Sequence, residues 1–262
     1  MTSDPELLRT VARRFYPDFE KALPIDTDKP LQDGRSPYVA FEWIGSPPSY
    51  PDYLTEQHHK KGRPTRGANY TSADFAFRFL RRDGRIQLVL GEWKYTEDSG
   101  STDYGTSKSP ADRKPAARKR TYRKAFYRTD GIFKNQDDFL YDALFVGPFY
   151  QLMRLQLLAQ EMERGRELQA DVVTMLHITP EANQEFREFV PSPSSKNTSL
   201  RGKFPNKGTL DIWKELVPAE KFMSLSTESL LGVLGREALS THPAWVAYLE
   251  QRYGWDRFGS IF

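Results

Sequence analysis

Two short apolar segments separated by a strong turn signal constrain the fold more than any other feature of the sequence. The segments are DFAFRFL (74–80) and IQLVLGEWKY (86–95), and both are rich in the aromatic and branched residues that favour strands. The intervening RRDGR contains Asp83-Gly84, a dipeptide typical of tight β-hairpin turns. The sequence therefore predicts two adjacent antiparallel strands whose facing residues are set by the turn.

The far end of this predicted hairpin carries charge. Side chains alternate along a strand, so Glu92 and Lys94 share the face of Leu88 and Leu90. Asp74 opens the partner strand, and pairing centred on the turn brings it opposite this end of the second strand. We expect these three charged side chains to converge at one end of an otherwise apolar row.

The convergence of Asp74, Glu92 and Lys94 indicates a metal site. Two neighbouring carboxylates repel each other unless a cation lies between them, and Mg²⁺ accepts one or two carboxylates together with substrate phosphate and water. A metal held in this way can polarise a phosphodiester, and an adjacent ammonium can orient the attacking water. The alternative interpretation is a structural ion pair between Glu92 and Lys94 at the end of a strand.

The rest of the chain supplies the context of the hairpin. Apolar residues at helical spacing predict helices near 4–16 and 149–164, and strand composition predicts strands at 38–44 and 170–178. The order is an α-β-β-β-α-β core followed by extra C-terminal helices. We therefore expect an α/β fold with a mixed sheet flanked by helices.

Length and composition limit the class of protein. The chain has 262 residues, 38% of them hydrophobic, which is enough for a single domain over residues 1–262. Within it we expect the core over about 38–190 and a helical C-terminal extension over 191–262. The absence of cysteine excludes disulfides and thiolate zinc sites, and no segment resembles a membrane span or a signal peptide. A cytoplasmic protein is the expectation.

Positive charge is concentrated in one segment, although the net charge is only +3. Residues 113–128 (RKPAARKRTYRKAFYR) contain eight basic residues and no acid, a composition suited to a phosphate backbone. The candidate DNA contacts in this run are Arg118, Lys119, Arg120, Arg123 and Lys124. The basic loop 58–66 adds a second candidate surface with Lys60, Lys61 and Arg63. A solvated helix face or a disordered connector is the alternative interpretation of the basic run.

The pattern Asp74…Glu92-x-Lys94 within this core order resembles the PD-(D/E)xK nuclease superfamily, whose fold is that of the restriction endonucleases. Three longer stretches are similar to a family of bacterial proteins classed as restriction endonucleases: GANYTSADFAFRF (67–79), IQLVLGEWKYTE (86–97) and PFYQLMRLQLLAQEM (148–162). The resemblance covers roughly residues 38–190. One departure is that Ala73 stands where the superfamily pattern has proline.

The resemblance implies a Mg²⁺-dependent deoxyribonuclease that also accepts Mn²⁺ and acts as an endonuclease in restriction or phage defence. It implies that Asp74 and Glu92 bind the metal and that Lys94 assists the attacking water. Folds of this kind often add an upstream acid, for which Glu42 is the first choice and Glu20 the second. The residues expected to contact phosphate or to position the lysine are Gln87, Gln151 and Arg154.

Two other functions are compatible with the sequence: a catalytically inactive DNA-binding module of the same fold, and an RNA-directed nuclease. The intact Asp74, Glu92 and Lys94 argue against the first, because a binding module has no use for buried charges at that spacing. His177 follows an apolar strand and is interpreted as a core or strand-end histidine. By analogy with enzymes that cut duplex DNA, we expect a homodimer.

Overall fold

The computed structural model describes residues 3–25, 30–45, 71–94, 103–106, 114–188 and 198–253. The expected contact loop with Lys60, Lys61 and Arg63 lies outside these ranges, so its role stays a prediction. Among the helices within these ranges, none combines the length and apolar character needed to cross a membrane.

A mixed sheet forms the centre of the fold, with six strands in the described part of the chain. They are β1 (Phe19–Leu23), β2 (Val39–Trp43), β3 (Ala73–Arg81), β4 (Ile86–Trp93), β5 (Val172–Thr179) and β6 (Phe222–Ser226). β3 and β4 form the antiparallel hairpin, while β5 joins β4 and β6 joins β5 in parallel. β1 and β2 both pair antiparallel with the other edge of β3, one along each half of that strand.

Helices cover both faces of the sheet, and the sheet separates two apolar cores. They are α1 (Pro5–Ala12), α2 (Lys114–Phe126), α3 (Asp138–Ala143), α4 (Phe149–Arg164), α5 (Gln184–Glu188), α6 (Thr198–Lys203), α7 (Thr209–Leu216), α8 (Thr227–Ala238) and α9 (Pro243–Tyr253). α4 is buried along most of its length and packs against β5, on the face that carries Leu88 and Leu90. α1 covers the opposite face, where Leu8 belongs to the same cluster as Phe77.

The hairpin has the turn and the register that its sequence predicts. Gly84 adopts φ +82°, a left-handed conformation that glycine reaches without strain, and its N–H donates to the carbonyl of Arg81 (3.0 Å). Pairing continues without a shift as far as Phe75 and Gly91. The start of β3 is therefore the neighbour of the end of β4.

The expected α/β architecture is confirmed, but the sheet is wider than the sequence indicates. β1 and β6 add to the expected strands, and β6 belongs to the segment 191–262 that was expected to be only helical. The reason is that FEKAL and FMSLS are five-residue strands without clear apolar alternation. Such strands are stabilised by pairing with residues far away in the chain, which local patterns do not record.

Candidate active site

The open end of the hairpin brings Asp74, Glu92 and Lys94 together. Asp74 Oδ2 accepts a hydrogen bond from the backbone N–H of Trp93 (2.8 Å), which fixes the carboxylate against the end of β4. Lys94 Nζ lies 2.8 Å from Glu92 Oε1. The backbone N–H of Lys94 donates to the carbonyl of Ile178 (2.8 Å), so β5 holds the residue after the end of β4 in place. The predicted convergence of the three side chains is present in the structure.

Glu92 lies in an environment that disfavours its negative charge. The side chains of Glu92 and Lys94 are only 12% and 10% exposed. Burial raises the pKa of Glu92 to about 7, although the Lys94 ammonium opposes the shift; the neighbouring Asp74 carboxylate raises the pKa further, and the Arg154 guanidinium lowers it. A carboxyl group destabilised by burial and by a second carboxylate has the surroundings that a divalent cation would neutralise.

Asp74 and Glu92 fit a Mg²⁺ ion by the chemistry of their donors, because both offer carboxylate oxygens and Mg²⁺ prefers oxygen ligands. Within the described ranges, no group of three or more His, Asp or Glu residues is arranged to hold a metal. Among the described groups, the remaining ligands would be water, backbone or substrate oxygens, a pattern that is usual for Mg²⁺ bound together with phosphate.

Glu42, the expected third ligand, is not drawn into a cluster with the two carboxylates. The β2–β3 register places it between the pairs Phe41–Phe75 and Trp43–Ala73, so its backbone lies across from Asp74. However, Glu42 adopts φ +50°, which interrupts the regular strand, and its exposed side chain accepts a hydrogen bond from Ser72 Oγ (3.2 Å). Glu20, the second choice, lies exposed on β1, which pairs with the other half of β3.

Gln87 lies away from the candidate site, so its expected role as an auxiliary residue is not supported by its position. It is buried near the start of β4, on the face opposite that of Glu92. Its side chain accepts a hydrogen bond from Arg81 Nη1 (2.9 Å) and donates to Thr174 Oγ1 (3.0 Å). Five residues of strand separate it from Glu92, a distance of about 17 Å.

Arg154 reaches the site through α4 and is held by two hydroxyl groups. Its Nε lies 3.1 Å from Tyr122 Oη and 3.4 Å from Thr71 Oγ1, and the two hydroxyls lie 2.9 Å apart. Thr71 precedes Asp74 by three residues, so the arginine approaches the start of β3. Gln151 is half-buried one turn earlier on α4. Tyr122 and Thr71 belong to no sequence motif. They are recognised as partners of Arg154 only because α2, α4 and the start of β3 lie close together in the structure.

His177 is the closest neighbour of Glu92 across the β4–β5 pairing. It is 1% exposed, and its ring stacks on Phe186 with a centroid distance of 4.7 Å. Neither ring nitrogen has a hydrogen-bond partner within the described ranges. Burial lowers the pKa of His177 to about 3, and the charges of Lys94 and Arg187 act in the same direction. The expected core position is correct, but the register also places a neutral imidazole beside the candidate site.

The basic run forms helix α2, which passes close to the site. Tyr122 and Phe126 are on its buried side, and Tyr122 contacts Arg154 as described above. Arg120 and Lys124 are exposed one turn apart on its outer side. The other candidate contacts take part in the fold: Lys119 Nζ lies 2.6 Å from Asp142 Oδ1, Arg123 lies 3.3 Å from Asp138, and the Arg118 guanidinium lies 5.4 Å from the centre of the Tyr104 ring.

The mixed sheet, the flanking helices and the charged hairpin end define an α/β protein with a restriction-endonuclease-like core. The family model REase-ARP, described as "Restriction Endonuclease associating with ARP", matches residues 15–254. The chain belongs to this family, which confirms the resemblance found in the sequence. No curated protein and no solved structure shows significant similarity to the chain.

Proposed function

We propose that the protein is a Mg²⁺-dependent deoxyribonuclease that hydrolyses phosphodiester bonds and accepts Mn²⁺ in place of Mg²⁺. The observation that carries the proposal is the meeting of Asp74, Glu92 and Lys94 at the open end of the hairpin, with Glu92 buried against a second carboxylate. Membership of a restriction-endonuclease family supports the same chemistry.

Each charged group has a distinct role in this proposal. Asp74 and Glu92 would hold the metal, which when bound supplies charge to polarise the scissile phosphate and to acidify a water molecule. Lys94 would orient the attacking water, because its ammonium group already lies against Glu92. Arg154 would bind a phosphate oxygen that does not take part in the reaction, held in place by Tyr122 and Thr71.

α2 would hold the nucleic acid next to these groups. Its exposed Arg120 and Lys124 lie on the outer side of a helix whose inner side contacts Arg154 through Tyr122. Contacts of this kind neutralise backbone phosphates and release counterions, so they supply affinity without reading sequence. The loop with Lys60, Lys61 and Arg63 would extend the same surface.

The proposal extends to the biological setting. The family description favours an endonuclease that acts in restriction or phage defence. We further propose a single domain over residues 1–262, a cytoplasmic location and a homodimer, the last by analogy with enzymes that cut the two strands of a duplex with two sites. The alternatives are an RNA-directed nuclease and an inactive DNA-binding module.

The test of this function is a cleavage assay with the purified full-length protein. Plasmid, linear duplex, single-stranded DNA and RNA are incubated with Mg²⁺, Mn²⁺ or EDTA, beside Lys94→Ala. Lys214→Ala is the matched control, because Lys214 lies exposed on α7, 3.9 Å from Asp211. We expect metal-dependent cutting of DNA that is lost in Lys94→Ala and kept in the control.

The other outcomes separate the alternatives. Preferential cutting of RNA would replace the DNA assignment with the RNA-directed nuclease. Equal, salt-sensitive DNA binding by the wild type and Lys94→Ala, with no cutting of any substrate, would favour the binding module.

A further inference from the structure

A hollow of about 500 Å³ lined by arginines opens at the end of α1. Arg9, Arg13 and Arg14 come from α1 and the residues that follow it, and Arg82 comes from the turn of the hairpin. Thr10 and Pro17 complete the lining. We call this surface the arginine hollow. It carries none of the residues of the candidate active site.

The arginine hollow has more positive charge than its neighbouring acids neutralise. Arg9 Nη2 lies 2.9 Å from Glu6 Oε2, and Arg14 Nη2 lies 2.5 Å from Glu237 Oε1. Arg13 and Arg82 are exposed, and in the described part of the chain no carboxylate is paired with either of them. Within the described ranges, two of the four guanidinium groups are therefore exposed and have no carboxylate partner.

The dipole of α1 explains only part of this arrangement. A basic residue such as Arg13 is favourable at the end of a helix, where the backbone carbonyls are partly negative. Arg82 belongs to a different element, and its backbone N–H donates to the carbonyl of Asp18 (2.9 Å), which holds it beside the end of α1. Two separate elements thus bring guanidinium groups to one hollow, and guanidinium groups bind phosphate oxygens in a bidentate manner.

The arginine hollow is distant from the candidate active site. α1 covers the face of the sheet opposite the one that carries Leu88, Leu90 and Glu92. Arg82 lies at the closed end of the hairpin, and the six residue steps of β4 from Ile86 to Glu92 correspond to roughly 20 Å. α2 packs on the same face as Leu88 and Leu90, so the hollow at the end of α1 and the surface of α2 lie on opposite sides of the sheet.

We propose that the arginine hollow binds the phosphodiester backbone of a second nucleic-acid segment, separate from the segment at the candidate active site. The hollow is open and its lining is dominated by guanidinium groups, so it suits an extended polyanion better than a small molecule with an apolar part. The identification of this polyanion as nucleic acid rests on the proposed function. The protein would then bridge two duplexes, or two distant segments of one duplex.

The first experiment measures binding by the full-length protein in EDTA, so that no cleavage occurs. The probe is a fluorescent duplex of about 40 base pairs, and the dissociation constant is measured over a series of NaCl concentrations. The variant is Arg13→Ala/Arg82→Ala. The matched control is Arg35→Ala/Arg85→Ala, which removes the same charge from exposed arginines that are already paired with Asp33 and Asp83.

For a second duplex added to protein already saturated with a first one, we expect the arginine-hollow variant to lower the salt slope by about 0.9 for each lost phosphate contact, so by about 2 in all. The control should keep the wild-type slope for this second duplex, because its guanidinium groups are neutralised by their own acids. An unchanged slope for the second duplex in Arg13→Ala/Arg82→Ala would overturn the proposal. Thermal unfolding of each variant checks that the exposed substitutions leave the fold intact.

A second experiment tests bridging directly. A duplex fixed on beads is loaded with protein, and retention of a fluorescent second duplex is measured. The wild type and the control should retain it, while Arg13→Ala/Arg82→Ala should bind the first duplex and lose the second. Retention equal to wild type in that variant would contradict the inference, as would binding of anionic lipid vesicles through these arginines with no binding of the second duplex.

The two proposals fail separately in these experiments. If the wild type cuts DNA while the arginine-hollow variant keeps full bridging, this inference is wrong and the nuclease proposal stands. If the wild type cuts nothing but bridges duplexes through Arg13 and Arg82, the nuclease proposal is wrong and this inference stands.

Discussion

Glu92 is the residue on which burial and several neighbouring charges act together. Its carboxyl group is buried on a strand, lies against the Lys94 ammonium and is close to a second carboxylate, Asp74. Without a divalent cation, this arrangement raises the pKa of Glu92 from 4.5 to about 7. A substitution that removes the charge of Glu92 while keeping its shape should therefore affect the stability of the fold and the chemistry of the site in opposite directions.

Glu92→Gln should remove cleavage and, in EDTA, stabilise the protein at alkaline pH. The pKa of Glu92 is about 7 in the folded protein, against its ordinary value of 4.5. The folded protein therefore binds this proton more tightly than the unfolded chain does. The stability that Glu92 contributes is fully present below pH 4.5 and is lost as the pH rises through 7. The free energy of unfolding lost between these two pH ranges amounts to about 3 kcal/mol, at 1.36 kcal/mol per pKa unit.

Urea unfolding in EDTA at pH 5 and pH 8 measures this effect. The free energy of unfolding of Glu92→Gln should exceed that of the wild type at pH 8, and the excess should shrink at pH 5. Added Mg²⁺ should stabilise the wild type more than the variant, because a ligand of the folded state shifts the equilibrium toward folding. A constant difference across this pH range would contradict the buried, charged position of Glu92.

Gly91 makes room for an aromatic ring next to the site. It pairs with Phe75, and a Cβ at position 91 would lie 2.1 Å from the Cζ of that ring. Gly91→Ala should therefore destabilise the protein by about 1 to 3 kcal/mol, the range for overpacked cores. Thermal unfolding checks this prediction. Gly202→Ala is the control, since a Cβ at that helical position meets no atom within 4 Å and should not destabilise the fold.

At the scale of the elements, the site depends on a contact between α2, α4 and β3. Tyr122 on α2 contacts Arg154 on α4, and its hydroxyl lies 2.9 Å from Thr71, just before β3. α2 therefore has two functions in the proposed nuclease. Its outer side would contact the nucleic acid, and its inner side would position the arginine.

Tyr122→Phe should lower kcat about tenfold, equivalent to 1.4 kcal/mol of transition-state stabilisation, with little change in DNA affinity. The reason is that Arg154 loses a hydroxyl partner while Arg120 and Lys124 stay in place. Single-turnover cleavage and anisotropy separate the two quantities. Tyr127→Phe is the matched control on the segment after the helix, because Tyr127 bonds to Asp138 instead. A loss of affinity without a loss of kcat would show that Tyr122 supports the helix and not the arginine.

Local sequence patterns predict the contacts within the hairpin, but they do not predict which residues surround it. Asp83-Gly84 and the alternation along β4 determine which residues face each other, so the meeting of Asp74 with Glu92 and Lys94 could be predicted. The neighbourhood of His177 depends on the parallel register between β4 and β5, which is set by packing across most of the chain.

The surroundings of two candidate site residues, Glu42 and Gln87, differ from those expected, for two different reasons. The departure of Glu42 from regular strand geometry follows from a positive φ that glutamate rarely adopts, so strand composition gives no warning of it. Gln87 lies among the odd-numbered residues of β4, which face the other core. The alternation that predicted the position of Glu92 also excludes Gln87 from that face.

At the scale of the whole molecule, α1 and α8 join the beginning and the end of the described chain. Leu7 and Val11 on α1 share an apolar cluster with Leu231 and Leu234 on α8. α1 also packs on the sheet, so this cluster connects the C-terminal helices to the face behind the candidate site. The described elements should therefore unfold together.

Leu234→Ala should destabilise the whole fold by about 2 to 5 kcal/mol, as expected for a buried leucine. Calorimetry should show one transition at a lower temperature, and cleavage at low temperature should be unchanged because Leu234 packs in the cluster between α1 and α8, away from the face of the sheet that carries Glu92. Leu239→Ala is the control, since Leu239 is 57% exposed. Two separate transitions would mean that the C-terminal helices fold as an independent unit.

The contact between α1 and α8 also has a consequence for synthesis on the ribosome. α1 is made early, but the helix that covers its apolar side is made only after all six described strands. The nascent chain therefore carries a helix whose Leu7 and Val11 side is uncovered while β3, β4, β5 and α4 can already assemble the candidate site. Products that stop before α8 would be prone to aggregation and degradation, which would limit the amount of incomplete protein in the cell.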